Sequence, residues 1–209
     1  MIFFVKVNKI VYYHVLIFVF LLVSSLYCIA EPDIVNRCVT CHTITGNSSV
    51  AMWPKIAEQH SDYMFKQLIE FKKGKNGDRF DPTMFGMLQG INEADLYVLS
   101  EYFSKQVVSK SIIKVSKEEY TYGKNIYLFG DRDNKVVGCV GCHGLDGTGN
   151  KLAKYPSLKW QHKDYIVIQL KKFKSGERSN DLNGIMRDVT ADMTDEQIQA
   201  VASYLSVVE

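Results

Sequence analysis

Two segments of the chain carry the same pattern, a pair of cysteines separated by two residues and followed directly by a histidine. These segments are Cys38–His42 and Cys139–His143. On a short helical turn, two such thiols can form thioethers with the two vinyl groups of one porphyrin, while the adjacent imidazole binds the iron. The pattern therefore predicts two covalently bound haem c groups. The residues predicted to form thioethers are Cys38, Cys41, Cys139 and Cys142, and the predicted iron ligands are His42 and His143.

Three other chemistries use paired cysteines. In an exported chain, the two cysteines of such a pair could form a disulfide. A thioredoxin-type redox pair needs no following histidine and normally starts a helix after a strand. A zinc site would need free thiolates, which exported proteins seldom keep. Two copies of the full pattern behind an export signal favour haem over all three.

The two motifs belong to an internal repeat that covers most of the chain. The shift between the halves is 101 residues at the motifs and 102 residues afterwards. The equivalent pairs include Pro54 and Pro156, Gln59 and Gln161, His60 and His162, Tyr63 and Tyr165, Gln67 and Gln169, and Met84 and Met186. The repeat predicts haem domains over 31–107 and 117–209, joined by an extended linker over 108–116 that lies along both. Each domain is small, so a buried cofactor would supply much of its apolar mass.

Apolar residues recur at helical spacing in each half, and almost nothing alternates with a period of two. Helices are predicted over 63–73 and over 93–105, the latter capped by Asn92. The last helix of the chain is predicted to begin with a capping box over 194–197. The predicted fold class is all-α, with two tandem domains, each a small helical bundle around one haem.

The halves differ ahead of their motifs. The second half has a full predicted helix over 117–129, with Gly123 and Tyr127 placed to cross the last helix near Tyr204. The first half offers only residues 31–37 after the predicted leader. The first domain is therefore expected to have a truncated first helix, a more exposed haem edge, or help from an uncleaved leader.

The repeat also selects the sixth iron ligand. Met84 and Met186 are the only methionines at equivalent positions, and both are predicted to lie in irregular segments that can bring sulfur to the open face of the haem. The competing assignment is bis-histidine ligation through His60 and His162. Methionine ligation raises the iron potential relative to bis-histidine ligation.

Further equivalent residues are candidates for contacts around the haem. The carbonyl groups of Pro54 and Pro156 could accept the imidazole N–H and orient the ring, unless these are ordinary turn prolines. Four residues could bind haem propionates: Tyr63, Tyr165, Arg79 and Arg178. For the arginines, a solvated surface position is the alternative.

Residues 1–30 have the layout of a secretory signal peptide. Lys6 and Lys9 precede an apolar run, and small residues end at Ala30. The alternatives are an uncleaved membrane anchor, since the run is about 20 residues long, and lipid modification of Cys28. Without the leader, 23 of the 25 basic side chains remain against 23 acidic ones. A neutral mature chain gives no reason to expect nucleic-acid binding.

The mature sequence resembles cytochrome c4, a family of dihaem class I cytochromes c, over essentially its whole length. The matching stretches include CVTCH, WPKIAEQH and DPTMFGML in the first half, and CVGCHGLDGTGN, YPSLKWQH and IMRDVTADMTDEQI in the second. The resemblance implies two tandem class I cytochrome c domains, whose haem domains face each other in the periplasm. It also implies electron transfer from a quinol-oxidising cytochrome bc-type complex toward a terminal oxidase, and it supports Met84 and Met186 as ligands.

The expected function is therefore electron transfer without catalysis, because both axial positions of each iron are filled. The expected partners are membrane redox complexes, with peripheral membrane association open. One alternative is a c-type haem subunit of a larger dehydrogenase. The other is a dihaem peroxidase, which needs one iron with an open or displaceable position.

Overall fold

The computed structural model describes His14 and residues 33–209, so the predicted leader over 1–30 lies outside the described residues except for His14. In the first half the α-helices are Asn36–His42 (α1), Ser61–Lys72 (α2), Pro82–Met87 (α3) and Glu93–Ser104 (α4). In the second half they are Lys117–Phe129 (α5), Val140–His143 (α6), Lys163–Ser175 (α7), Ile185–Ala191 (α8) and Asp195–Val207 (α9). Short 3-10 helices cover Asp33–Val35, Gly74–Asn76 and Leu182–Gly184. Between residues 33 and 209 strand pairing is limited to isolated bridges, which confirms the all-α class.

The core of the first half forms where α2 packs on α4. Leu96, Leu99 and Phe103 form the predicted apolar stripe of α4, and all three are buried. The side chain of Asn92 caps this helix by accepting a hydrogen bond from the Asp95 N–H at 2.8 Å. The predicted cap and helix are therefore confirmed, with the helix one residue shorter than expected.

The core of the second half forms where α9 packs on α5 and α7. The capping box is present: the Gln197 N–H donates to the Thr194 hydroxyl at 3.1 Å, and the Thr194 N–H donates to Gln197 Oε1 at 2.9 Å. The predicted crossing near Tyr204 is also confirmed. The Tyr127 and Tyr204 rings lie 5.3 Å apart, and a Cβ on Gly123 would lie 2.0 Å from the Ala200 carbonyl oxygen.

The connection between the halves forms hydrogen bonds to both of them. Lys55 Nζ in the first half donates to the Ser109 carbonyl at 2.7 Å, and the Ser111 hydroxyl donates to the Trp160 carbonyl in the second half at 3.1 Å. These contacts agree with a linker that runs along both domains. None of the helices within 33–209 is long and apolar enough to cross a bilayer.

Candidate functional site

The imidazoles of the two motifs are buried and fixed by equivalent hydrogen bonds. His42 lies at the end of α1 and His143 at the end of α6. His42 Nδ1 lies 2.9 Å from the Pro54 carbonyl oxygen, and His143 Nδ1 lies 3.1 Å from the Pro156 carbonyl oxygen. A carbonyl oxygen can only accept, so Nδ1 carries the proton and Nε2 keeps a lone pair. Burial lowers the pKa of both histidines, although the hydrogen bond to each carbonyl acts in the opposite direction. The lowered pKa favours the neutral form of the imidazole, which is the form that binds metals.

The four motif cysteines are free thiols, so the structure forms none of the disulfides that the pairs could have made. Burial raises the pKa of Cys38 to about 11 and that of Cys139 to about 12. Burial at these two positions disfavours a charged thiolate and is compatible with a thioether, which carries no charge. Among the described residues, no group of three Cys, His, Asp or Glu side chains is placed to hold a metal ion.

The predicted irregular segments around Met84 and Met186 are wrong, because each methionine lies at the start of a short helix. At α3, Pro82 occupies the first turn and the Asp81 carboxylate accepts a hydrogen bond from the Met84 N–H at 2.9 Å. At α8, the Asp181 carboxylate accepts from the Arg187 N–H at 3.0 Å. In both cases a carboxylate satisfies an N–H group that the first helical turn leaves free.

Burial separates these two methionines from the others in the described residues. Met64 and Met193 are core residues, whereas Met52 and Met87 are exposed. Met84 and Met186 are half-buried. They therefore remain the candidates for the sixth iron ligand, and that assignment stays a prediction.

The imidazoles of the competing bis-histidine assignment point toward the opposite half. His162 Nε2 donates to the Ser48 carbonyl at 2.8 Å. His60 lies against the backbone of Thr148, and burial lowers its pKa while that backbone raises it. The His162 ring is thus used where the two halves meet, which favours methionine over this histidine as the sixth ligand, whereas the buried His60 Nε2 has no hydrogen-bond partner among the described residues.

The contact between the halves is built around two arginines. The alternative prediction, that these arginines lie on the solvated surface, is wrong. Arg79 and Arg178 are each only 5% exposed, because each side chain is covered by the other half. Arg79 donates to the Tyr165 hydroxyl at 2.7 Å, and Arg178 donates to the Tyr63 hydroxyl at 2.9 Å. Each guanidinium also lies 4.3 Å from the centre of a phenylalanine ring in its own half.

Two glutamines complete this arginine pair. Gln67 Oε1 accepts hydrogen bonds from both guanidinium groups, and Gln169 Oε1 does the same. The predicted propionate residues of both halves are thus brought together in one cluster. The repeat had marked both glutamines as equivalent, but it gave no sign that they bind arginine.

The cluster has an excess of buried positive charge. Within 33–209, neither arginine forms a salt bridge to a carboxylate. Burial and the charge of Arg79 lower the pKa of Arg178. Burial opposes the shift at Tyr63, but the charges of Arg178 and Arg79 outweigh it and lower the pKa of that hydroxyl. Buried charges are normally paired, so this contact suits anionic groups.

Comparisons with known proteins agree with this arrangement. The family model for cytochrome c matches residues 33–106 and 121–209. Cytochrome c4 of Thiocapsa roseopersicina is 37% identical over 169 residues, which cover 80% of this chain and 85% of that protein. The thiosulfate dehydrogenase electron acceptor of Thiomonas intermedia (strain K12) is 32% identical over 85% of this chain and 81% of its own.

A solved structure shows the same fold. The crystal structure of reduced recombinant cytochrome c4 from Pseudomonas stutzeri superposes with a TM-score of 0.80 at 34% identity, over 84% of this chain and 95% of that one. Similarity of this extent, on a fold whose two halves each carry a haem-attachment motif, makes the protein a member of the cytochrome c4 family of electron-transfer proteins.

Proposed function

We propose that the chain binds two haem c groups covalently and carries electrons in the periplasm from a quinol-oxidising cytochrome bc-type complex toward a terminal oxidase. One observation carries this proposal. In each half a buried imidazole, held by a proline carbonyl, follows two free thiols on the same helical turn. The repeat supports a count of two, because the geometry occurs once in each half.

The residues of the cluster between the halves fit the haem that the family implies. A haem carries two propionates, and the buried arginines lack carboxylate partners within the described residues. Arg79, Arg178, Tyr63 and Tyr165 would donate hydrogen bonds to these propionates. Cys38, Cys41, Cys139 and Cys142 would hold the porphyrin edges.

A bound haem supplies an iron that alternates between the ferrous and ferric states. The residues that would hold this iron are fixed by the protein. His42 and His143 are held by their proline carbonyls, and Met84 and Met186 lie on short helices whose first turn donates an N–H to a carboxylate. If these four residues hold the two irons, neither iron would be open to a substrate, so we expect a carrier and not an enzyme.

The ligand assignment is tested by the absorption spectrum of the matured ferric protein. Met84→Ala and Met186→Ala should each remove about half of the weak far-red band of methionine-bound haem, and the double variant should remove all of it. Met52→Ala and Met87→Ala, at the exposed methionines, should leave the band unchanged. Retention of the whole band in the double variant would refute the assignment, and a colourless matured protein would refute haem binding itself.

The second candidate function is that of an electron acceptor for a dehydrogenase. The relative named as a thiosulfate dehydrogenase electron acceptor favours it. Stopped-flow reduction of the matured protein by a bc-type complex and by a thiosulfate dehydrogenase compares the two donors directly. Faster reduction by the dehydrogenase would select the second candidate. Peroxide turnover or a high-spin haem would instead indicate a peroxidase.

A further inference from the structure

Gln59 and Gln161 occupy equivalent positions, and each places its carboxamide on the backbone of the opposite half. Gln161 Oε1 accepts from the Lys55 N–H at 2.8 Å, and Gln161 Nε2 donates to the Lys55 carbonyl at 2.7 Å. Gln59 Oε1 accepts from the Ser157 N–H at 3.0 Å, and Gln59 Nε2 donates to the Ser157 carbonyl at 2.9 Å. Because a backbone N–H only donates and a carbonyl only accepts, these partners fix the orientation of each carboxamide.

The bound backbone residues directly follow the prolines that hold the motif histidines. The N–H of Lys55 and the carbonyl of Pro54 are the two ends of one peptide group. That carbonyl accepts the hydrogen bond from His42 Nδ1. A continuous chain of two hydrogen bonds therefore runs from Gln161 in the second half, through this peptide, to His42 in the first.

The same chain exists in the opposite direction. The N–H of Ser157 and the carbonyl of Pro156 form one peptide group, and that carbonyl accepts from His143 Nδ1. Hydrogen bonds in series polarise one another, strengthening each by about 10–30%. An acceptor on the N–H of a peptide therefore makes its carbonyl a stronger acceptor for the imidazole. A stronger bond at Nδ1 makes the imidazole a more basic metal ligand.

We propose that each half of the protein sets the strength of the other half's histidine–iron bond through this glutamine: Gln161 acts on His42, and Gln59 acts on His143. Both are positioning residues that touch neither the iron nor the porphyrin. The proposal rests on the proposed function, because it needs an iron bound to each histidine. It gives the contact between the halves a redox role, since separating them would weaken both histidine ligands at once.

The two chains are not equal. Gln161 and Lys55 are both buried, at 8% and 6% exposure, whereas Gln59 and Ser157 are half-buried. The two hydrogen bonds of the chain from Gln161 to His42, and the bond from Gln161 Nε2 to the Lys55 carbonyl, are each shorter than their counterparts at Gln59 and His143. Hydrogen bonds away from water are stronger, so Gln161 should have the larger effect.

The experiment uses the full matured protein with both haems and compares Gln161→Met with its mirror variant Gln59→Met. Methionine matches glutamine in length and removes both hydrogen bonds to the opposite half. It also removes the one that Oε1 accepts from the N–H of the next residue, His162 or His60, equally in the two variants. A less basic imidazole favours the ferrous state, so Gln161→Met should raise the potential of the iron bound to His42. We expect at least a twofold change in the ferric-to-ferrous ratio, about 18 mV at 59 mV per tenfold for one electron. Gln59→Met should raise the potential of the iron bound to His143 by less.

The second readout is the Nδ1–H resonance of each motif histidine in the ferrous protein, labelled with nitrogen-15 histidine. Each variant should shift the resonance in the opposite half and leave that of its own half in place. A shift confined to the variant's own half, equal shifts in both halves, or no shift would overturn the proposal. If Gln161→Met does not mature, Gln161→Asn tests the same crossed pattern, because its shorter carboxamide cannot reach Lys55.

These outcomes are separable from failure of the proposed function. A protein without covalent haem has no potentials to measure and refutes both proposals. A two-haem protein whose potentials and resonances lack the crossed pattern refutes only the role of Gln59 and Gln161.

Discussion

Asp181 is the residue that holds the start of α8, the helix carrying Met186. Its side chain is only 3% exposed, and its carboxylate accepts hydrogen bonds from the Arg187 N–H at 3.0 Å and from Arg187 Nε at 2.9 Å. Burial alone would raise the pKa of this carboxyl, but hydrogen bonds from the Arg187 backbone, its own backbone and the Arg187 side chain, with the charge of that side chain, outweigh burial and lower the pKa. The folded protein therefore favours the charged form.

This shift predicts how Asp181→Asn depends on pH. At pH 7 the variant should be less stable than the unmodified protein by about 1.5–3 kcal/mol, the usual contribution of a hydrogen bond to a charged group. This contribution of the carboxylate to stability is fully present above pH 3.8, the ordinary pKa of the carboxyl group. It is lost as the pH falls through the lower pKa of the folded state. Guanidinium unfolding followed by haem absorption at a series of pH values measures the difference, which should shrink in acid.

The matched control is Asp133→Asn, at an exposed loop residue, which should have little effect at any pH. A stability difference between Asp181→Asn and the unmodified protein that is the same at pH 7 and pH 3 would contradict the role of the carboxylate charge. No difference at pH 7 would contradict the role of the hydrogen bonds.

At the scale of elements, the crossing of α5 and α9 depends on a glycine. A Cβ on Gly123 would lie 2.0 Å from the Ala200 carbonyl oxygen and 3.0 Å from the Tyr204 Cβ. Both obstacles belong to the α9 backbone or lie next to it, so they cannot turn away. Gly123→Ala should therefore force the helices apart and destabilise the protein by about 1–3 kcal/mol.

Gly86 in α3 is the matched control, because a Cβ there would meet nothing within 4 Å. Gly86→Ala should leave the stability unchanged or raise it by up to about 1 kcal/mol, since alanine favours the helix. Chemical denaturation of both variants measures the contrast. An unchanged unfolding midpoint for Gly123→Ala would show that α5 and α9 can separate without loss.

Local sequence signals predicted the long helices and their caps. Asn92 and the Thr194 capping box act on N–H groups within three residues, so the pattern contains everything that determines them. The short helices α3 and α8 were not predicted, because six or seven residues contain barely two turns of helical periodicity. The hydrogen bond from the Arg187 N–H to Asp181 was not predicted, because the two residues are six positions apart in the sequence.

Contacts between the halves could not be predicted from local pattern. Arg79 lies in a polar stretch that looks solvated, and it is buried only because Tyr165 and Gln169 of the other half cover it. The repeat identified the equivalent residues of the candidate site, since equivalence is a property of the sequence alone. It could not show which of them meet, because that depends on how the two halves dock.

At the scale of the whole molecule, Gln67 holds the two halves together. Its Oε1 is an acceptor for Arg79, Arg178 and Asn180, and the residue is buried. In the docked protein, Gln67→Leu would leave three donors, two of them charged, without this acceptor. Each lost bond costs about 1–3 kcal/mol if the donor finds no other partner. The variant should therefore favour separation of the halves while the core of each stays intact.

Hydrogen exchange distinguishes this separation from unfolding. The N–H groups of Lys55, Ser157 and Ser179 donate across the contact, the last to the Asp78 carbonyl at 2.8 Å. They should exchange at least tenfold faster in Gln67→Leu, because each 1.4 kcal/mol lost from docking is a factor of ten. Amides on the buried faces of α4 and α9 should keep their exchange rates in Gln67→Leu. The control is Gln199→Leu, at an exposed glutamine of α9, in which the amides at the contact and in both cores should all keep their exchange rates. Faster exchange throughout both cores would mean that the halves cannot stay folded apart, and unchanged rates at the contact would mean that Gln67 does not hold it.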